Sequence, residues 1–166
     1  MLEDNDLTFE GVDFLLLECG RALSTLTTLS LDGNPIGDVG AAILARAIKL
    51  GHVTCLESLS LMTCTIGDAG GKRLGEALGA GDCGMPNIQR GGRCARLREL
   101  FLDQNTLGSE TNKALIDAMR NDHLPELETL QMDPSREQKA IDDAMVYVEN
   151  MRLSMEACRM EALQVQ

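Results

Sequence analysis

Aromatic residues are almost absent from this chain: its 166 residues include no Trp, one Tyr and three Phe. Hydrophobic residues nevertheless make up 44% of the chain and charged residues 25%, which is the composition of a globular protein and not of a disordered tail. The core must therefore be aliphatic, built from Leu, Ile, Val, Ala and Met. Such a core is unusual in a compact mixed domain but typical of a repeat protein, in which equivalent leucines stack in rows.

Basic residues are also scarce, because 15 Lys and Arg stand against 26 Asp and Glu and give a net charge of -11. The sequence shows no obviously basic face, which argues against nucleic acid as a partner. An acidic surface suits solubility or a basic protein partner better.

The sequence lacks the features of export and of membrane insertion. Its N-terminus has no basic stretch followed by an apolar core, so it is unlike a secretory signal. The longest apolar run near it, residues 14–17, is far too short to span a bilayer. The six cysteines show no closely spaced framework, which indicates reduced thiols. We therefore predict a cytoplasmic protein without membrane insertion.

One motif recurs along the chain. It reads LTTLSLDGNPI at 26–36, LESLSLMTCTI at 56–66 and LRELFLDQNTL at 97–107. All three copies match L-x-x-L-x-L-x-x-N/C-x-L, the leucine-rich-repeat signature. A fourth copy, LETLQM at 127–132, has only the strand half. In each strand the paired leucines are predicted to point inward, with the alternate residues pointing out.

A helical pattern follows each complete copy, at 37–48, 67–78 and 108–119. The short polar residues near the start of these helices are predicted N-caps: Asp38, Asp68 and Ser109. The N/C position of the signature is predicted to satisfy loop backbone groups between stacked repeats, and it is occupied by Asn34, Cys64 and Asn105.

The stretches LTTLSLDGNPIGDVGAAILARAI (26–48) and LESLSLMTCTIGDAGGKRLGEAL (56–78) resemble the ribonuclease-inhibitor-like subfamily of leucine-rich repeats. That subfamily includes ribonuclease inhibitor, the GTPase-activating protein of Ran, tropomodulin-like proteins and the sensor region of NOD-like receptors. The resemblance covers about residues 5–132. It implies an α/β fold, a right-handed solenoid forming a short horseshoe arc with parallel strands on the concave side and helices on the convex side. It also implies protein binding on the concave face.

Three regions are predicted. Residues 1–25 form a degenerate capping repeat, in which Asn5-Asp6-Leu7 aligns with Asn34-Pro35-Ile36; this unit is either a cap or the cut edge of a longer array. Residues 26–132 hold the repeats, which start at positions 26, 56, 97 and 127. A Gly-rich insertion at 79–96 is either a tolerated surface loop or a contact loop for an acidic partner.

Residues 133–166 are predicted to form one long helix that starts at Asp133-Pro134. Its apolar residues follow steps of three and four, as in a heptad seam, and are Ile141, Ala144, Val148, Met151, Met155, Cys158, Ala162 and Val165. The helix either caps the last repeat or docks on a partner, and its Met, Ala and Cys make an adaptable seam.

Outward strand positions give the candidate contact residues. Phe101 is predicted as an exposed aromatic anchor, unless it leans on Met62 or is covered by a terminus. Asp103 and Asp133 are predicted about 5 Å apart, where they either receive a Lys or Arg of the partner or are simply solvated. The predicted contacts on the concave face are Asp32, Met62, Glu99, Phe101, Asp103, Gln131 and Asp133. Two further predicted sets are Arg90, Arg93 and Arg96 in the insertion and Met151, Met155 and Cys158 on the C-terminal helix.

Nothing in the sequence indicates catalysis. The chain has only His52 and His123, neither visibly arranged with a nucleophile, and it has no phosphate-binding loop. Cys83 and Cys94 lack the two further ligands that a zinc site needs. We predict no enzyme, cofactor, metal or small-molecule substrate, but a protein-interaction module, either an adaptor or a fixed subunit of a multi-subunit complex. The alternative is a Ran-activator-like regulator of a small GTPase.

Overall fold

A computed structural model describes residues 2–80, 94–135 and 137–164. Four short strands alternate with helices along the chain. The strands are β1 (Thr28–Ser30), β2 (Ser58–Ser60), β3 (Glu99–Phe101) and β4 (Thr129–Gln131). The helices are α1 (Phe9–Asp13), α2 (Gly37–Leu50), α3 (Asp68–Leu78), α4 (Ser109–Arg120) and α5 (Gln138–Gln164). A π-helical turn, Phe14–Glu18, and a 3-10 turn, Gly20–Leu23, follow α1.

The strands form one parallel sheet in the order β1-β2-β3-β4, with neighbouring repeats in register. The central residue of every strand is a leucine, because the repeat places an inward side chain there. Leu59 and Leu100 are fully buried against the helices, whereas Leu130 on the last strand is only half-buried. The predicted α/β leucine-rich-repeat solenoid with a long C-terminal helix is confirmed.

Polar side chains inside the turns hold one repeat to the preceding one. The Asn105 amide oxygen accepts hydrogen bonds from the backbone of Cys64 and Ile66 at 3.1 and 3.0 Å, and its nitrogen donates to the Leu61 carbonyl at 2.7 Å. Cys64 at the equivalent position donates through Sγ to the Leu31 carbonyl at 3.2 Å. Burial raises the pKa of the Cys64 thiol to about 11, so it stays protonated and acts as a donor.

The N-terminal segment uses the same interaction. Asn34 Oδ1 accepts from the backbone of Asn5 and Leu7 at 3.0 and 2.9 Å, and Asn34 Nδ2 donates to the Leu2 carbonyl at 2.7 Å. Residues 2–7 therefore lie against Asn34 as residues 61–66 lie against Asn105. The backbone of Leu2 and Asp4 also donates to the otherwise open edge beside β1.

The predicted N-caps are wrong in one respect, since each aspartate caps the helix of the next repeat and not its own. Asp38 Oδ1 accepts from the amides of Gly67 and Gly70 at the start of α3, at 2.7 and 3.1 Å. Asp68 accepts from the amide and the hydroxyl of Thr111 in α4, both at 2.8 Å. Stacking brings each helix start beside the previous one, so the carboxylate reaches across.

The predicted start of the C-terminal helix is also wrong, because α5 begins at Gln138 and not at Asp133-Pro134. β4 ends at Gln131 on the sheet side of the repeat, and the next helix lies on the other side, so that helix starts only after the chain has changed sides. The first half of α5 then packs on α4 through three buried side chains of the predicted seam, which are Ile141, Ala144 and Val148.

Candidate interaction surfaces

The outward residues of the four strands form two columns across the sheet, a surface called here the strand face. The in-register partners in the first column are Thr28, Ser58, Glu99 and Thr129. Those in the second are Ser30, Ser60, Phe101 and Gln131. Glu99, Phe101 and Gln131 therefore lie on one surface, as the strand alternation predicts.

Phe101 is half-buried, so it is less exposed than the sequence suggested. Its neighbours in register are Ser60 and Gln131, and strands lie only about 4.8 Å apart, so adjacent side chains shield much of a ring. Met62 is half-buried as well. Part of the Phe101 ring still faces solvent, which leaves the side chain accessible to a partner.

The carboxylate of Asp32 is already engaged within the molecule. Its two oxygens accept from the Ser60 hydroxyl at 2.7 and 2.8 Å, and Oδ1 also accepts from the Met62 amide at 2.7 Å. Asp32 therefore joins the first repeat to the second. A role as a free contact residue, which the sequence suggested, would require breaking these bonds.

Asp103 occupies the equivalent position two repeats later in a different environment. Its Oδ2 is buried and has no hydrogen-bond partner within the described part of the chain. Burial raises the pKa of Asp103, its own backbone amide opposes this, and the negative charge of Asp133 raises the pKa further. Asp133 itself is exposed.

A cleft of about 520 Å³ lies between the start of the last two repeats and the second half of α5. It brings together Arg96 of the predicted loop set and Met155 of the predicted helix set. On its wall Glu128 Oε1 accepts a hydrogen bond from Arg98 at 2.8 Å. The same oxygen forms an ion pair with Nη1 of Arg152 at 2.9 Å, which does not meet the geometry of a hydrogen bond. Arg90 and Arg93 lie outside the described residues.

The second half of α5 is mostly exposed. Of the predicted helix contacts, Met151 is half-buried, whereas Met155 and Cys158 are exposed. The opposite side of the helix carries a second apolar stripe that the sequence analysis missed. Its three members lie seven residues apart and are 55%, 52% and 59% exposed; this outer stripe consists of Val146, Leu153 and Met160. The seven-residue spacing was the signal that could have revealed it.

The family model for the leucine-rich repeat matches residues 22–45 and 52–75, the segments that hold β1 with the start of α2 and β2 with the start of α3. Both matched segments are leucine-rich repeats. No curated protein matches the sequence.

Thirty-four solved chains are similar in structure to this leucine-rich-repeat chain. One of them is leiomodin-1 actin-binding site 2, with a TM-score of 0.67 and 17% sequence identity. The match covers 99% of this chain and 87% of that one, so the likeness extends over α5 as well as the repeats.

The two histidines lie in equivalent turns after repeat helices, and the contact made by His52 is to the backbone of the scaffold. His52 Nδ1 lies 2.9 Å from the Leu16 carbonyl, in the turn after α2. His123 occupies the matching turn after α4, and its Nδ1 is buried without a hydrogen-bond partner in the described part of the chain. Within that part, no group of three or more His, Cys, Asp or Glu residues could hold a metal ion.

Cys94 is a buried thiol of the insertion. Burial raises its pKa to about 12, so this thiol stays protonated, while Cys83 lies outside the described residues.

No helix in residues 2–80, 94–135 or 137–164 is long and apolar enough to cross a membrane.

A further polar site escaped the sequence analysis, at the junction between α4 and residues 132–137. Asn112 is 1% exposed, its Nδ2 donates to Glu137 Oε2 at 3.1 Å, and its Oδ1 has no partner among the described residues. The equivalent positions in the earlier repeats are Ala41 and Gly71. This change from a small residue to an amide was visible in the sequence.

Proposed function

We propose that this chain is a non-catalytic protein-interaction module that binds its partner through the strand face and the second half of α5. The observation that carries the proposal is the exposure of the second half of α5: every residue from 153 to 160 is exposed, including Leu153, Met155 and Met160. The buried apolar side chains of this helix, which is about 40 Å long, all lie in its first half. Clustered exposed apolar side chains mark interaction sites.

The strand face adds an anchor of a different kind. Phe101 is a partly accessible aromatic among small polar side chains, and aromatic residues in such settings supply a large share of interface energy. Glu99 and Asp133 are exposed nearby and give the surface a negative charge that favours a basic partner. Together with the net charge of -11 this supports a protein partner over nucleic acid.

The likeness to leiomodin-1 actin-binding site 2 makes actin the first partner to test. The shared architecture includes the C-terminal helix, which is the part of this chain that leaves its apolar side chains uncovered. We infer the same broad use of the fold, a surface for another protein. The helices that follow β1, β2 and β3 are 14, 11 and 12 residues long, and these lengths support the ribonuclease-inhibitor-like subfamily.

Binding to filamentous actin can be measured by co-sedimentation of the full chain and a double variant, Leu153→Gln with Met160→Gln. We expect the wild type to sediment with actin and the double variant to bind at least tenfold more weakly, because the loss of two apolar contacts costs more than about 1.4 kcal/mol. Ser154→Gln is the matched control, since Ser154 is exposed on the same helix but lies outside the outer stripe.

Phe101→Ala tests the strand face in the same assay. We expect weaker binding of the partner with a smaller loss of thermal stability than a buried leucine would cause. Binding that survives both Phe101→Ala and the double variant would contradict the proposal, because neither proposed surface would then contribute.

The cellular role that fits these surfaces is a scaffold or a fixed subunit of an intracellular assembly. A chain that stays monomeric and soluble after purification supports a free adaptor, and one that aggregates supports a fixed subunit. A regulator of a small GTPase stays the alternative. Stimulation of GTP hydrolysis by the purified chain would favour it over a binding-only role.

A further inference from the structure

The hydrogen bonds that join successive repeats stop at the last strand, β4. In each of the first three repeats one carbonyl accepts from two neighbouring amides of the next repeat; Thr27 O, for example, accepts from Glu57 and Ser58 at 2.7 and 3.0 Å. Glu57 O and Arg98 O do the same in the second and third repeats. Their counterpart in the fourth is Glu128 O, which accepts no backbone hydrogen bond within the described part of the chain.

An amide on the same side of each strand shows the same break. Leu31 N donates to the Ser60 carbonyl at 3.0 Å. The counterparts in the next two repeats, Leu61 and Leu102, donate in the same way at 2.9 and 2.8 Å. In the fourth repeat the counterpart is Met132, whose amide forms no backbone hydrogen bond with the described residues. An open acceptor and an open donor therefore lie along the outer side of β4.

The peptide groups of Leu130 lie between these two. Thr129 N and Gln131 O bond to β3, and the peptide groups of a strand point alternately to its two sides, so the N–H and C=O of Leu130 point away from β3. The next counterpart along the chain is Pro134, which has no N–H, so the row of donors ends before it. The open groups of residues 128–132, called here the β4 edge, form a short template for one more strand.

The other edge of the sheet is already covered by an extended segment of the same chain. Leu2 N donates to the Ser30 carbonyl at 3.2 Å, on the outer side of β1. Asp4 N donates to the Asp32 carbonyl at 2.9 Å. Parallel stacking of a second copy on β4 would need the β1 edge to be free, so this arrangement does not favour self-assembly. An extended segment of another protein can instead cover β4 in the way that residues 2–4 cover β1.

The side chains around the β4 edge indicate what such a segment carries. Leu130 is half-buried, whereas Leu59 and Leu100 at the same position are fully buried, so an inward apolar side chain of an added strand would complete the burial of Leu130. Glu99 and Asp133 are exposed at this end of the strand face. Lysine or arginine at the outward positions of the added strand complements these charges.

We propose that the β4 edge binds an extended segment of the protein partner as a fifth, parallel strand. Two successive amides of that segment donate to Glu128 O, and the carbonyl two residues after the second amide accepts from Met132 N, which repeats the bonds between the earlier repeats. Its inward residues are apolar and its outward residues are basic. The inference rests on the proposed function, because it specifies how a protein partner extends the strand face.

The test is an NMR titration of the ¹⁵N-labelled full chain with the capped peptide acetyl-Gly-Lys-Leu-Lys-Leu-Gly-amide, in which basic and apolar residues alternate. We expect the backbone amide signals of Leu130 and Met132 to shift, and those of residues 2–4 at the covered edge to stay unchanged. A peptide with glutamate in place of both lysines should bind at least about fivefold more weakly, because Glu99 and Asp133 repel it.

Two methylated peptides separate strand addition from simple charge attraction. N-methyl groups on both lysines remove the amides that face β4, so binding should fall at least about tenfold. N-methyl groups on both leucines lie on the far side of the added strand, so this matched peptide should keep its affinity.

The matched variants of the protein are Met132→Pro and Met132→Leu. Proline removes the donor amide, and because that amide forms no backbone hydrogen bond with the described residues, the fold should be kept. Peptide binding should then fall about tenfold. Met132→Leu keeps both the amide and an apolar side chain, so it should leave binding unchanged.

Equal binding of the two methylated peptides would overturn the proposal, as would full binding by a folded Met132→Pro variant. Equal binding of the lysine and glutamate peptides would overturn the choice of a basic segment. A dimer in analytical ultracentrifugation that Met132→Pro separates into monomers would assign the edge to a second copy and overturn the choice of partner. If no peptide binds while Leu153→Gln with Met160→Gln still weakens partner binding, only this inference fails and the proposed function stands.

Discussion

The junctions inside the repeat array and the junction at its end are built from the same positions with different residues. Between the second and third repeats, Gly71 allows close helix packing and Asp68 caps the next helix. Between the third and fourth, the same two positions hold Asn112 and Ser109, and a cleft opens. The difference teaches that the neighbouring element sets the residue at this position: Gly71 lies against Thr111 of α4, whereas Asn112 donates a hydrogen bond to Glu137 just before α5.

The largest expected difference between interior and end concerns the central leucines of the strands. Leu59 is fully buried, whereas Leu130 is half-buried on the last strand. Leu59→Ala should lower the free energy of unfolding by about 3 kcal/mol, because it leaves a cavity that the closely packed surrounding side chains cannot fill. Leu130→Ala should cost about half as much. Chemical denaturation measures both, and equal losses would show that the last repeat is as well packed as the interior.

The second comparison concerns the capping position. Asp68→Ala removes the acceptor for three backbone amides of α4 and should destabilise the fold by about 1–2 kcal/mol. Ser109→Ala should change stability by less than about 0.5 kcal/mol, because Ser109 is exposed and caps no helix in the described part of the chain. A large loss for Ser109→Ala in thermal melts would remove the contrast between the two junctions.

The same aspartate should give the fold a dependence on acid. Burial raises the pKa of Asp68, but hydrogen bonds from the amide and hydroxyl of Thr111 and from the amides of Glu110 and Gly108 outweigh it, so the pKa is lowered. The folded state therefore holds this proton less tightly than the unfolded state. The stabilisation should be complete above the ordinary pKa of an aspartate and should be lost as the pH falls through the lowered value. In the Asp68→Ala variant, this loss of stabilisation with falling pH should be absent.

The last comparison concerns one repeat position at which the two expected effects carry opposite signs. Asp32→Asn should destabilise the fold by about 1–2 kcal/mol, because its carboxylate accepts charge-assisted bonds from Ser60 and Met62. Asp103→Asn should stabilise it slightly, within about 0.5 kcal/mol, because burial and Asp133 penalise the charge of Asp103. Since the pKa of Asp103 is raised in the folded state, the gain should appear as the pH rises through that pKa and be absent in strong acid. Thermal melts at several pH values measure both variants.

The repeat fold could be predicted from the sequence because leucines at fixed spacing determine the strands, their register and the buried face. The direction of capping could not, because Asp38 lies near the start of its own helix in sequence and beside the next one only in space. The start of α5 was missed for a similar reason, since Pro134 permits a helix start but the chain must first cross the repeat.

The candidate surfaces were predicted in part. Glu99, Phe101 and Gln131 lie on one face because strand alternation fixes where they point. The hydrogen bonds of Asp32 with Ser60 and Met62 and that of Asn112 with Glu137 join residues 25 to 30 positions apart, and a single repeat motif does not contain that information. The seven-residue spacing of the outer stripe is present in the sequence, but the apolar residues of the predicted seam on the same helix drew the interpretation to the other side.

Hydrogen–deuterium exchange of the full chain, free and bound to the partner that it captures from native extract, tests the central claim most directly. The account predicts that binding slows exchange in residues 153–160 of α5 and along β3, and leaves the outer surface of α2 and α3 unchanged. Protection confined to α2 and α3, with α5 and β3 exchanging as in the free chain, would contradict it.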